Sequence, residues 1–288
     1  MINLTMDLSA KDKLVVRVAT ADELAIAIKW AAQEGWNPGR ADAKCFYAAD
    51  PEGFFVGLLD GEPVATISAV VYDDSFAFAG FYITRPDVRM HGFGLKMRRA
   101  ATRHMGSRTV GLDGVLAQEA SYKKYGFTSQ YHNIRYEGVG GGEASRDVVP
   151  LSGIEFEKLV AYDAPLFAVR RPKFLRAWID QPGATAVAAI KGGELRGYGV
   201  MRPCERGFKI GPLFADDEAA AESLFMAMAS RASGEPIFLD LPETNPAALE
   251  LARRHGMQPV FQTVRMYSGK APQLPLDRIY GVTTFELG

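Results

Sequence analysis

The 288-residue sequence predicts an α/β fold that uses one plan twice, and three observations lead to this prediction. The length fits two domains of ordinary size better than one. Strand and helix patterns follow one another in much the same order in both halves. A glycine-dense run at 138–145 disfavours helix and strand. We therefore predict a first domain at 1–138, a flexible linker at 139–146 and a second domain at 147–288.

The first half shows both strand and helix periods. After a strand at 14–19, a helix opens with Thr20-Ala21-Asp22-Glu23, which has the form of a capping box. A hairpin covers 54–71, and a third strand covers 76–84. A helix follows Pro86, and a short strand, a short helix and a last strand at 131–136 come after it. The pattern indicates a mixed, mostly antiparallel sheet flanked by helices.

The second half repeats much of this order, although the direct identity between the halves is slight. We predict strands at 184–190, 197–201, 207–210, 237–241 and 260–266, and helices at 216–230 and 245–255. Two copies of one α/β plan are the economical interpretation.

Composition excludes several classes of function. With 33 basic and 34 acidic side chains, no global field attracts nucleic acid or anionic lipid. Cys45 and Cys204 match neither a metal spacing nor a disulfide framework. The N-terminus lacks the apolar core of a secretory signal, and no apolar run approaches the ~20 residues that span a bilayer. We expect a cytoplasmic monomer or homodimer with no metal, membrane or nucleic-acid partner.

A candidate phosphate site lies between the third strand and the helix after it. In Arg89-Met90-His91-Gly92-Phe93-Gly94, the first-turn N–H groups of the helix have no partner within the helix, and the helix dipole is positive there. Gly92 and Gly94 lack a Cβ, so a pyrophosphate can approach the backbone closely. An ordinary strand-to-helix turn is the alternative explanation.

The stretch from Ile83 to Gly94 resembles motif A of the Gcn5-related N-acetyltransferases, and the order of the surrounding elements agrees with that family. The resemblance covers residues 12–137 and implies acetyl-CoA as the cosubstrate. It implies that the backbone of Tyr82, Ile83 and Thr84 pairs with the pantetheine arm. It also implies that the diphosphate is held by backbone amides of the cradle, which comprises Arg89, Met90, His91, Gly92, Phe93, Gly94 and Leu95.

A second motif, from Tyr122 to Phe127, is similar to the Y-x-x-x-G-F signature of the same family and implies that Tyr122 is the general acid. A phenol with a pKa of about 10 stays protonated at neutral pH and can donate to a departing thiolate. The resemblance also implies an oxyanion donor at the backbone N–H of Ile83 or Thr84. Aromatic packing is the alternative role for Tyr122, and we expect Tyr125 in the core. The sequence offers no convincing general base.

The whole chain resembles tandem bacterial acetyltransferases whose C-terminal half is a diverged copy. In the second half Ala252 stands where the tyrosine is expected, and carboxylates at 216–218 stand where a diphosphate would bind. We therefore expect this half to have lost coenzyme A and to wall off the acceptor site. In this family the region between the first two helices often lines the acceptor side, so Trp36 and Asp42 are candidate substrate contacts, and a turn with a buried tryptophan is an equally good explanation. Arg202 is a candidate anchor for an acidic substrate.

These observations predict an acetyl-CoA-dependent N-acetyltransferase that modifies a primary amine of a small molecule or short peptide by direct attack. Two alternatives remain. One is a non-catalytic acyl-CoA sensor or interaction protein, which needs the cradle but not the phenol. The other is a transferase of a longer acyl or an aminoacyl group.

Overall fold

A computed structural model describes residues 13–143 and 148–288, and within these ranges thirteen strands form one sheet with eight α-helices on its two faces. The first half contains β1 (Val15–Val18), α1 (Leu24–Gln33), α2 (Asp42–Ala49), β2 (Phe54–Leu59), β3 (Glu62–Val71), β4 (Phe76–Thr84), α3 (Phe93–Met105), β5 (Thr109–Val115), α4 (Glu119–Lys124) and β6 (Phe127–Val139).

The second half contains β7 (Val148–Pro150), α5 (Phe156–Phe167), α6 (Pro172–Ile179), β8 (Thr185–Lys191), β9 (Glu194–Pro203), β10 (Phe208–Ala215), α7 (Glu218–Ala229), β11 (Pro236–Pro242), α8 (Pro246–Arg254), β12 (Gln258–Ser268) and β13 (Ile279–Gly281). The sequence patterns predict no element within 148–179, where β7, α5 and α6 lie, and they do not predict β13.

The two halves exchange a strand. The sheet order is β1-β2-β3-β4-β5-β12-β6-β11-β10-β9-β8-β7. β12 therefore lies between β5 and β6 of the first half, and β6 lies between β12 and β11 of the second. Each half needs a strand of the other to complete its sheet.

Because of this exchange, the two halves do not form separate sheets joined by a flexible linker. Gly140 donates to the Glu235 carbonyl at 2.8 Å, and Gly141 donates to the Ala229 carbonyl at 2.8 Å, so the start of the predicted linker is fixed to the second half. Residues 144–146 of that linker lie outside the described residues. We keep 1–138 and 147–288 as the proposed repeat units, although they share one sheet.

Local sequence signals explain several helix starts. The predicted capping box at α1 is confirmed, because Glu23 N–H donates to Thr20 Oγ1 at 3.2 Å and Thr20 N–H donates to Glu23 Oε2 at 2.9 Å. Asp217 caps α7 and Asn245 caps α8 through their side chains. Asn245 thus has a structural role in starting α8.

The helices divide between the two faces of the sheet. α3 and α4 cover one face of the first half, and α7 and α8 cover the same face of the second. α1, α2, α5 and α6 pack on the opposite face in a core that both halves share. In that core the rings of Phe46 and Trp178 stack with centroids 6.0 Å apart.

Candidate functional site

A split between β4 and β5 shapes the site. These parallel strands pair from Phe76 and Thr109 as far as Ala79 and Leu112. Beyond that point β4 pairs with β3, and Phe81 has a φ of 46° where the register on β3 shifts. This bulge leads the end of β4 away from β5. Among the described residues, β4 beyond Ala79 has no strand partner on the β5 side, so a ligand can pair with that edge.

Tyr122 lies on one face of this split. It belongs to α4, and its ring packs so closely on β5 that a Cβ on Gly114 would lie 2.7 Å from Tyr122 Cε2. Burial and the neighbouring Tyr82 raise the pKa of the Tyr122 phenol to about 12. The phenol therefore keeps its proton at neutral pH and can act as an acid.

The cradle has the backbone geometry of an anion site. Gly92 precedes α3 with a φ of 76°, and Met90, with a φ of 69°, is 94% exposed. The N–H groups from Met90 to Gly94 donate no hydrogen bond to another described residue. No acidic side chain lies in the first turn of α3. Free amides and a positive helix end together fit a diphosphate.

Side chains of the cradle have roles that the sequence did not show. The Arg89 guanidinium turns back to the Thr84 carbonyl, at 3.0 Å, and to Glu34, so Nε and Nη2 of this side chain are engaged within the protein. A Cβ on Gly94 would lie 2.4 Å from the Tyr82 hydroxyl, so Tyr82 requires this glycine. Of the other predicted contacts, Ile83 and Phe93 are buried, whereas His91 and Leu95 are half-buried.

Three further side chains border the split on the α3 face. Arg98, one turn after Gly94, lies over the Tyr125 ring at 3.8 Å from its centroid. Tyr125 is 45% exposed, so the expectation that it lies in the core was wrong. Burial raises the pKa of the Tyr82 phenol, with Tyr125 adding to the effect and Arg98 opposing it. Tyr82, Arg98 and Tyr125 thus form a polar wall beside Tyr122.

The corresponding split in the second half is filled by the chain itself. β10 and β11 pair only from Phe208 to Ile210, and beyond that β13 pairs with β10 at Leu213 and Phe214. Val282 N–H then donates to the Asp240 carbonyl of β11 at 2.7 Å. The segment therefore bridges both arms of the split and occupies the strand edge that a pantetheine arm would need.

The helix after this second split is also unsuited to phosphate. Asp217 accepts the Ala220 N–H at 2.9 Å, and Glu218 stands in the first turn of α7. These carboxylates satisfy the helix end and would repel a diphosphate. Ala252, at the expected tyrosine position, is fully buried in the core.

The predicted substrate residues Trp36, Asp42 and Arg202 come together at the junction of the halves. Arg202 Nε donates to Asp42 Oδ1 at 2.8 Å and its Nη2 donates to Asp42 Oδ2 at 3.2 Å, and both side chains are 0% exposed. The Trp36 carbonyl accepts from Arg135 Nη1 at 2.6 Å. The Arg202 guanidinium is thus engaged by Asp42 rather than open to an acidic substrate, and the pair holds α2 against the second half.

This buried pair predicts a large stability effect. Asp42→Asn leaves the Arg202 cation buried without its counter-charge, so the free energy of unfolding should fall by about 3–5 kcal/mol, measured by urea denaturation. The matched control is Glu250→Gln, which breaks the exposed Arg253–Glu250 pair and should leave the free energy of unfolding nearly unchanged, because solvent screens exposed ion pairs. Equal losses in the two variants would contradict the assigned role of the Asp42–Arg202 pair.

Further predictions concern the cysteines, metal binding, membrane-spanning helices and the location of the protein. Cys45 and Cys204 are buried free thiols. Within 13–143 and 148–288, no group of three or more His, Cys, Asp or Glu residues could hold a metal ion. In the same ranges no helix is long and apolar enough to cross a membrane. The cytoplasmic location stays a prediction.

Comparisons with known proteins agree with this architecture. A model described as "Acetyltransferase (GNAT) family" matches residues 22–127, and one described as "Acetyltransferase (GNAT) domain" matches 159–281. A holothin acyltransferase from Pseudoalteromonas sp. (strain SANK 73390) is 33% identical over 273 residues, which cover 94% of this chain and 93% of that protein.

Solved structures share the fold over nearly the whole chain. A putative acetyltransferase from Pyrococcus horikoshii has a TM-score of 0.83 at 23% identity, with 100% of this chain and 99% of that chain covered. A tandem GNAT protein from the clavulanic acid biosynthesis pathway has a TM-score of 0.58 at 13% identity, with 90% and 99% covered.

The tandem α/β architecture, the split sheet and these matches define an acyltransferase. The chain belongs to the Gcn5-related N-acetyltransferase (GNAT) family, with one family domain in each half.

Proposed function

We propose that the protein transfers an acetyl group from acetyl-CoA to a primary amine of a small molecule or short peptide, with Tyr122 as the general acid. The observation that carries this proposal is the position of the Tyr122 phenol, which is kept protonated and lies on the open β4–β5 split. The filled split of the second half supports a single transfer site, in the first half.

Acetyl-CoA supplies an acetyl group activated as a thioester. The free amides from Met90 to Gly94 would hold its diphosphate, and the edge of β4 at 82–84 would pair with the pantetheine arm. The N–H of Ile83 or Thr84 would stabilise the oxyanion, as the family resemblance implies. Tyr122 donates its proton to sulfur as the C–S bond breaks and the N–C bond forms.

One observation favours a second candidate, the transfer of a longer acyl group. The relative that is 33% identical is named an acyltransferase, and its name gives holothin as the molecule acylated. Holothin is therefore the first acceptor to test, and acyl-chain length must be varied together with the acceptor.

An amine panel tests both candidates. Thiol release is followed with acetyl-CoA and with hexanoyl-CoA against holothin, polyamines, amino sugars and short peptides. We expect amine-dependent thiol release with acetyl-CoA, and a higher kcat/KM with hexanoyl-CoA would shift the assignment to longer-chain transfer. Tight binding of both thioesters with no thiol release from any amine would instead identify a non-catalytic sensor.

A further inference from the structure

A buried segment of the second half reaches the split of the first. The segment Val282–Gly288, here the closing segment, is buried throughout and follows β13. The carbonyl oxygen of Glu286 lies 2.1 Å from the position that a Cβ on Gly80 would occupy. Gly80 directly follows Ala79, the last β4 residue paired with β5. The closing segment therefore contacts β4 where the split begins.

The closing segment and Tyr122 lie on opposite faces of the sheet. Ala79 of β4 packs in the same cluster as Tyr122, and side chains alternate between faces along a strand. The face of Gly80 that Glu286 contacts is therefore the one opposite Tyr122. The Tyr122 phenol donates its proton to the departing sulfur from one face of the sheet. The attacking amine therefore approaches from the opposite face, where the closing segment lies.

The Glu286 side chain is charged, buried and incompletely paired. It is 3% exposed, and its Oε2 atom has no hydrogen-bond partner. Four charged groups face it: Lys209 from β10, Arg135 from β6, Arg202 from β9 and Asp42 from α2. Arg135 bonds twice to Asp240 and Arg202 bonds twice to Asp42, and Arg202 Nη1 is a buried donor that has no partner. A buried acceptor without a donor calls for a ligand or a water.

The other unpartnered buried atoms around the closing segment include two donors, Arg171 Nη1 and Arg202 Nη1, together with acceptors and hydroxyls. Ser68 Oγ lies 3.1 Å from the position of the same missing Cβ on Gly80. Asn133 Oδ1 and Thr263 Oγ1 are buried without partners, and these two residues are paired in register between β6 and β12. Among these unpartnered atoms Glu286 Oε2 belongs to a carboxylate, which can bind a primary ammonium group and accept a proton from it.

We propose that Glu286 binds the ammonium group of the acceptor and removes its proton, an inference that rests on the proposed function. The proton passes from nitrogen to Glu286 Oε2, and the neutral amine then attacks the carbonyl carbon of the thioester. The C–S bond breaks as Tyr122 protonates sulfur. The attacking nitrogen then loses a second proton, which restores the phenol of Tyr122. Glu286 returns its own proton to solvent, so the reaction releases one proton in total.

A cleft between the halves has walls that contact the closing segment. It has a volume of about 350 Å³, and Tyr72 and Arg171 form part of its wall. The Tyr72 hydroxyl donates to the Leu287 carbonyl at 2.9 Å, and Arg171 Nη2 donates to Thr283 Oγ1 at 2.8 Å. The wall of the cleft is thus bonded directly to the closing segment.

The inference has a pH signature. Burial raises the pKa of Glu286, while the cations Lys209 and Arg135 oppose the rise. A base must be ionised to accept a proton, so the rate should fall as the pH drops through the pKa of Glu286. The low-pH limb of the kcat profile should therefore belong to this carboxyl.

The test is Glu286→Gln, which keeps the shape of the side chain, assayed with acetyl-CoA and the panel amine that gives the highest rate. We expect kcat to fall by about 10²- to 10³-fold, the low-pH limb to disappear and acetyl-CoA affinity to stay unchanged. Glu286→Asp, which keeps a carboxylate, should retain that limb. The matched control is Glu243→Gln, a half-exposed carboxylate beside His132, which should leave the profile intact.

Two outcomes would overturn the inference, and they differ from failure of the proposed function. If Glu286→Gln keeps the parental kcat and pH profile, Glu286 is not the base. If it lowers thermal stability but only scales the rate with an unchanged profile, its role is structural. If the parent protein transfers acetyl to no panel amine, the proposed function fails, and the inference fails with it.

Discussion

Tyr122→Phe is expected to lower kcat by about 10²- to 10⁴-fold while acetyl-CoA affinity stays nearly constant. The substitution removes only the phenol oxygen, so the contact of the ring with Gly114 remains. Without the phenol, the departing thiolate leaves unprotonated. Steady-state kinetics with the best panel amine and calorimetry with acetyl-CoA separate these two effects.

Two other tyrosines provide a control and a competing candidate for the general acid. Tyr280→Phe is the matched control, because burial also raises the pKa of Tyr280 to about 12 but the residue lies in β13 of the second half. Tyr82→Phe removes the phenol that borders Tyr122. If Tyr82→Phe lowers kcat more than Tyr122→Phe does, the general acid is Tyr82. If neither lowers kcat, the phenols only pack.

The raised pKa of Tyr122 also determines the alkaline side of the pH profile. The acid works in its protonated form, which persists below a pKa of about 12. The rate should therefore show no decline from loss of the phenol proton between pH 7 and roughly pH 10. A decline that Tyr122→Phe abolishes would show that the phenol titrates near neutrality, contrary to its burial.

Gly92→Val is expected to weaken acetyl-CoA binding by at least about 100-fold. Valine strongly disfavours the φ of 76° at Gly92, so the loop must change shape. The amides from Met90 to Gly94 would then no longer converge on the diphosphate. Loss of two charge-assisted hydrogen bonds, at about 1.5–3 kcal/mol each, accounts for the effect. Calorimetry with acetyl-CoA measures it.

Gly61→Val controls for strain in the backbone. Gly61 lies in the β2–β3 turn with a φ of 88° and has open space around its Cα. Both variants should therefore lose similar stability, about 1–3 kcal/mol, but only Gly92→Val should lose acetyl-CoA. Parental affinity in Gly92→Val would show that the cradle is elsewhere.

Features encoded in short stretches of sequence could be predicted. The capping box from Thr20 to Glu23, the hairpin over 54–71 and the strand–loop–helix around Gly92 each depend on residues close together in the chain. The carboxylates at the start of α7 were also visible, and Asp217 does occupy the helix end. Local rules of capping, turn geometry and periodicity suffice for such features.

Features that depend on distant pairing could not be predicted. β6 and β12 have strand patterns, but no local signal says that each lies beside a strand of the other half. No local signal says that Arg202 pairs with Asp42 inside the core, in the cluster of charges that also contains Glu286. Glu286 lies in a stretch to which the sequence assigned no role, and its burial follows only from the position of the closing segment.

The central claim is that the chain carries one acetyl-CoA site, in the first half, although its architecture offers two. The measurement is calorimetric titration of the full-length protein with acetyl-CoA, because each isolated half would lack a strand that the other half supplies. We predict one equivalent bound per chain, and none at the same concentrations in Gly92→Val. Two equivalents, no binding by the parent protein, or one equivalent retained by Gly92→Val would contradict the account.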